Sequence, residues 1–211
     1  NSGTSTSETP TAGNIKIYVD ESFQMFMDAE KTTFEGLYPN AKVNIVYKPE
    51  VEVIDALMKD SARFVVVSRK LTEAEESQLK SNQIYPKTTK IAYDAIAFIV
   101  NKNNPDSSLL YQTINDIFYG KITKWNQIDP KSRLNDITVV FDNNKSANPR
   151  YIKEKFGIKS NFPSNCFAVK SNPEVINYVE KNQGAIGIIS VNWISNTYDS
   201  IVNSFLNKIT V

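Results

Sequence analysis

The chain has 211 residues, 41% hydrophobic and 22% charged, with a net charge of +1. That composition suits one large globular domain or two small lobes, and it excludes an electrostatic preference for nucleic acid or for a membrane surface. Histidine is absent and Cys166 is the single cysteine, which excludes Ser-His-Asp and Cys-His catalysis, an intrachain disulfide and multi-cysteine metal sites.

Residues 1–13, NSGTSTSETPTAG, cannot bury a core and read as a flexible tether. Such a tether suits a bacterial lipoprotein with a lipid anchor upstream of Asn1, or equally an arbitrary disordered terminus. Order is expected from Ile15, with a strand over 15–19 by alternation. Asp20, Glu21 and Ser22 then start a helix, and Phe23, Phe26, Met27, Phe34 and Leu37 recur at helical spacing until Pro39. Residues 41–48 alternate as a second strand. Residues 51–59 place Val51, Ile54, Leu57 and Met58 on one helical face. The apolar run 64–67, Phe-Val-Val-Val, predicts a strand covered on both faces. Thr72 and Glu75 form a capping box that opens a helix to about Asn82. This β-α-β-α-β order predicts a parallel sheet with right-handed crossovers.

Residues 87–101, rich in β-branched and aromatic side chains, predict one long strand that leaves a first lobe and enters a second. A short helix over 113–119 ends at Gly120. A strand follows over 137–141. Asn148 and Pro149 predict a helix start, with Asn148 as N-cap, and Gly157 ends that helix. Residues 166–169 read as a strand, with Cys166 as a small buried apolar side chain. Asn172 and Pro173 repeat the Asn-Pro start, and Val175, Ile176 and Val179 line one face. Residues 184–191, GAIGIISV, read as a buried strand. No apolar run is long enough to cross a membrane as a helix.

Residues 114–128, INDIFYGKITKWNQI, carry Ile117, Phe118, Gly120, Lys121, Ile122, Thr123, Trp125 and Asn126 in an "IF-G-KI-T-WN" pattern. This pattern resembles a segment of the phosphate-binding proteins that serve bacterial ABC transporters. The segment 183–188 resembles the "GAIGY" strand of the same receptors, and 92–101 resembles the strand that precedes their IF-G-KI-T-WN run. The resemblance covers about 15–193. It implies an α/β fold of the periplasmic-binding-protein type II-like kind, with two lobes and a ligand cleft between them. Lobe 1 is placed at 14–90 and lobe 2 at 91–201. Family members carry one more C-terminal segment, so the chain is read either as cut short of it or as a shortened relative, with 202–211 as the candidate to complete lobe 1. Trp125 belongs to the matched pattern and is read as packing, not as a sugar platform.

The resemblance maps ligand loops onto four places. In the first, Asp20 and Ser22 stand where the family has hydroxyl donors. Ser22 can donate, and Asp20 can accept a proton from hydrogen phosphate. The second, 48–51, keeps none of the family's Gly/Ser residues, and nothing is carried over. In the third, Ser68 and Arg69 stand where the family has Ser-Asp or Ser-Arg. Arginine offers a bidentate fork for an oxyanion. In the fourth, 142–148, the family reads Arg-x-x-x-Ser-Gly-Thr. Here Ser146 matches the serine, Asn148 replaces the threonine and Asp142 replaces the arginine, while Arg150 one turn on restores the positive charge. Because the family's Asp becomes Arg69 and its Arg becomes Asp142, an ion pair with exchanged ends is expected.

The function implied is a non-catalytic, extracytoplasmic solute receptor, monomeric and without cofactor, that binds inorganic phosphate and docks on an ABC permease. Two other readings stay open. One is the same fold binding another oxyanion or a zwitterion. The other is a surface sensor or interaction module without solute binding.

Overall fold

A computed structural model describes residues 8–211, so most of the expected tether lies outside the described residues. Its last part is ordered, since Thr9 bridges Ala12 and the Gly13 N–H donates to the Asn40 carbonyl. The chain divides into two compact units, one ending at Tyr93 and one running from Asp94 to Val211. The α/β class expected from the sequence is what both units show.

The first unit is a three-stranded parallel sheet in the order β2-β1-β3. Strand β1 spans Gly13–Asp20, β2 spans Ala41–Lys48 and β3 spans Val65–Val66. Helix α1 (Gln24–Leu37) follows a 3-10 turn over Glu21–Phe23, α2 is Glu50–Met58 and α3 is Glu73–Ser81. The capping box of Thr72 and Glu75 forms as expected. β3 is shorter and more open than its apolar run suggests. It pairs with β1 on one side only, and Phe64 is half exposed. An edge position, not burial on both faces, explains it. Helix α1 buries no residue fully. Its Met27 and Phe34 line an apolar groove of about 590 Å³ together with Ile15, Ile17 and Ile45.

The second unit is a mixed five-stranded sheet in the order β6-β5-β7-β4-β8. Its strands are β4 (Ile96–Asn101), β5 (Thr138–Phe141), β6 (Cys166–Ala168), β7 (Ala185–Ser190) and β8 (Ile209–Thr210). Its helices are α4 (Tyr111–Phe118), α5 (Ala147–Phe156), α6 (Asn172–Lys181) and α7 (Ser200–Leu206). β5 runs parallel to β6 and β7, whereas β4 is antiparallel to β7 and β8. Gly120 and Gly157 follow α4 and α5 at φ +70° and +65°, where glycine lacks the Cβ penalty. The core joins Ile117, Phe118 and Trp125 of the matched pattern to Phe141, Ile152 and Ile186. Trp125 is fully buried and its Nε1–H donates to the Gly184 carbonyl at 3.0 Å.

Three expectations are corrected. The long strand over 87–101 shrinks to Ile96–Asn101, because Ile91 and Tyr93 are exposed and find no neighbouring strand; β-propensity acts only where a pleated surface is there to pack on. The segment 202–211 does not complete the first unit's sheet. Its β8 pairs with β4, and Val202, Phe205 and Ile209 are buried within the second unit. Helix α5 starts at Ala147 with Ser146 as N-cap, two residues before the expected start with Asn148 as N-cap and Pro149 as first helical residue.

All six residues of β7 are buried, and Gly187 lies under α6. A Cβ there would sit 2.6 Å from Val175 Cγ1 and 2.8 Å from both Ile99 Cγ1 and Val179 Cγ2. These stiff β-branched neighbours cannot rotate away. Gly187→Ala is therefore expected to destabilise the protein by about 1–3 kcal/mol, read as a lower urea midpoint with unchanged slope.

Candidate functional site

In a parallel sheet every strand ends on the same edge, and the following helix starts there with unpaired N–H groups and the positive end of its dipole. In the second unit β5, β6 and β7 end on one edge. Antiparallel β4 begins there, since Ile96 faces Ser190 across the ladder. This topology gathers Asp94, Asp142, Ser146, Asn148, Asn172 and Ser190 into one polar cluster. All but Asp94 rank among the buried polar residues.

Asp142 directly follows β5. Its Oδ1 accepts from Ser146 Oγ at 2.6 Å and its Oδ2 accepts from Asn172 Nδ2 at 3.2 Å. Burial pushes the Asp142 carboxyl up from its ordinary pKa, against the pull of the Ser146, Asn143 and Asn148 hydrogen bonds. Asn172, the first residue of α6, accepts at Oδ1 from the Ser190 N–H at 3.0 Å and from Asn148 Nδ2 at 3.4 Å. The Ser190 hydroxyl donates to both Asp94 oxygens at 3.1 and 3.2 Å. Burial raises the Asp94 pKa as well. Ser146 is the N-cap of α5, yet it makes no side-chain cap bond, because its hydroxyl is turned to Asp142 and to the Asn143 carbonyl. Arg150, in the first turn and a half of α5, pairs with Glu154 at 2.8 Å.

The first unit repeats the arrangement at its own edge. Asp20 ends β1, is fully buried and accepts from the Ser22 N–H at 3.0 Å. Glu50 opens α2 and is also buried. Its Oε1 accepts from the Ser68 N–H at 3.1 Å and from Ser68 Oγ at 2.6 Å. Arg69 forks onto Glu75, with Nη1 and Nη2 each 2.8 Å from a carboxylate oxygen, and its Nε lies 4.0 Å from Glu50. Glu75 also accepts from the Thr72 N–H.

The eight residues named from the sequence thus fall into two sets. Asp20, Ser22, Ser68 and Arg69 lie at the first unit's strand ends. Asp142, Ser146 and Asn148 meet in the second, with Arg150 further along α5. Each end of the expected Arg69–Asp142 pair has partners within its own unit. Arg69 holds Glu75, and Asp142 is held by neutral donors. Sequence reasoning missed Glu50, Asn172, Ser190 and Asp94. Only Glu50 carried a usable signal, an acidic residue at a helix start directly after a strand.

The PBP superfamily domain model matches residues 4–211, and the chain belongs to that family. Among solved structures it is similar to a candidate phosphate ABC transporter substrate-binding protein with bound phosphate from Clostridium perfringens. The two share 27% identity and a TM-score of 0.75, over 90% of this chain and 73% of that one. It is also similar to the phosphate-binding protein PstS of Pseudomonas aeruginosa, 23% identical over 194 residues, which is 86% of this chain and 60% of the relative. PstS of Borreliella burgdorferi is 26% identical over 78% of this chain and 58% of its own length. The chain therefore spans about three fifths of the length of these curated relatives. Among the described residues no helix is long and apolar enough to cross a membrane.

The Arg69 fork holds the Glu75 pKa down to about 2. A carboxylate lowered in the folded state stabilises above its unfolded value, near 4.5, and that contribution fades as pH falls toward 2. Glu75→Gln is expected to cost about 1 kcal/mol at neutral pH. The gap from the parent should narrow steadily below pH 4.5, as measured by urea midpoints across the acid range.

Proposed function

We propose that the chain is the solute-binding component of an ABC transporter, that it acts outside the cytoplasm as a monomer docking on a permease, and that its solute is inorganic phosphate. The observation that carries this reading is the strand-end cluster of the second unit. Ser146 and Asn148 sit at the start of α5, whose first N–H groups receive no side-chain cap, beside the buried carboxylate of Asp142. Helix-start N–H groups and hydroxyls suit an oxyanion. The family membership and the phosphate-bound relative at 27% identity support it.

The chemistry also gives a basis for choosing between anions. A carboxylate can only accept. Asp142 therefore suits an anion that carries a proton, as hydrogen phosphate does, and repels sulfate, which carries none at neutral pH. The reading is of a receptor and not an enzyme: Ser146 donates to Asp142, and the chain has no histidine to draw its proton away. A second reading has its own support. Asp20 and Glu50 are two buried carboxylates at the first unit's strand ends, and they suit a ligand with an ammonium group, such as a zwitterionic amino acid.

Calorimetric titration separates the two. Phosphate is expected to bind and sulfate to bind much more weakly. Ser146→Ala should weaken phosphate about ten- to a hundredfold, the worth of one hydrogen bond to a charged group. No phosphate heat, with a melting shift produced by zwitterions instead, would transfer the assignment to the second reading.

A further inference from the structure

Two of the three serines named as ligand donors give their hydroxyls to a buried carboxylate of their own unit at 2.6 Å, Ser68 to Glu50 and Ser146 to Asp142. The two carboxylates differ in how they are held. Asp142 spreads its acceptors over Ser146 Oγ and the Asn172 amide. Glu50 takes both Ser68 donors on a single oxygen, the N–H at 3.1 Å and the hydroxyl at 2.6 Å. Its second oxygen faces Arg69 Nε at 4.0 Å. Glu50 also stands at the first position of α2, behind Pro49, which offers no side-chain cap. An anion is favoured there by the helix dipole. With 1% of its surface exposed, it sits in this seat and not in solvent.

We infer that Glu50 is a built-in anion that occupies the Ser68 donors of the first unit and sets the strength of anion binding at that edge. The inference rests on the reading that the chain binds phosphate through strand-end donors. A carboxylate asks of Ser68 what a phosphate edge would ask, two donors on one or two oxygens. One hydroxyl hydrogen and one N–H cannot fully serve both. A phosphate reaching Ser68 must therefore displace Glu50 or share its donors, against the repulsion of a like charge. Glu50 is in this sense a specificity-determining residue. It sets an affinity threshold against anions in general, above which only a ligand that compensates elsewhere is retained.

The test uses the full chain with phosphate and sulfate as probes. Glu50→Gln keeps the shape and an acceptor oxygen but removes the charge. It is expected to bind both anions at least tenfold more tightly than the parent, and adding Ser68→Ala should abolish the gain. Asp55→Asn removes the same charge from an exposed position of α2, paired with Lys59, and should stay within twofold of the parent. Melting temperatures confirm folding, and Glu50→Ala gives a second variant if Glu50→Gln is poorly folded. Unchanged or weaker anion binding in both Glu50 variants overturns the inference. The phosphate reading then still stands if the parent binds phosphate and Ser146→Ala weakens it. Binding by Glu50→Gln alone, with a silent parent, supports the inference. No anion binding by the parent or by either Glu50 variant overturns both.

Discussion

Everything at the candidate site follows from one constraint: a carboxylate buried at the end of a parallel strand must be hydrogen-bonded by whatever starts the next helix. Asp142 is fully buried, and charge in that position is costly unless donors surround it. Ser146 and Asn172, at the starts of α5 and α6, supply those donors. Asn172 in turn accepts from the Ser190 backbone, which ties the end of β7 into the same set. The first unit solves the same problem with different residues, Glu50 held by Ser68 and Asp20 by the Ser22 backbone. Both edges are thus pre-organised by their own acids.

This organisation decides what a ligand has to offer. A site of unopposed hydroxyls and N–H groups would take any oxyanion. Here a serine hydroxyl at each edge is matched with a carboxylate, Ser146 with Asp142 and Ser68 with Glu50. A ligand that both donates and accepts fits such an edge better than a fully ionised one. Hydrogen phosphate has that mixed character, and so does a zwitterion. The burial that raises the Asp142 and Asp94 pKa values acts in the same direction, because it favours sharing a proton over standing as a bare charge.

Much of the fold was legible in the sequence for physical reasons that can be named. The run 41–48 alternates cleanly and is the strand β2 with those same bounds, and the Thr72–Glu75 box starts α3. The failures share one cause, that local pattern does not report the neighbour. Residues 64–67 and 87–95 have strand composition, but the first stretch is an edge and the second has no strand beside it. The destination of residues 202–211 was not legible either, because the pairing of β8 with β4 depends on where Val202, Phe205 and Ile209 can be buried. At the site, Ser146, Asn148, Ser68 and Ser22 could be named from their loops. Their partners could not be. Ser190 and Asp94 read as parts of strand patterns, and Asn172 as a plain helix start. Only the antiparallel insertion of β4 beside β7 brings Asp94 to Ser190.

The most direct measurement is a crystal structure of this chain grown with saturating phosphate. The account predicts a tetrahedral anion hydrogen-bonded to Ser146 Oγ and to the first N–H groups of α5, with Asp142 close enough to accept the anion's proton. Density for phosphate only away from the strand-end edges of the two units, or an undisturbed Asp142–Ser146–Asn172 cluster with no anion beside it, would contradict it.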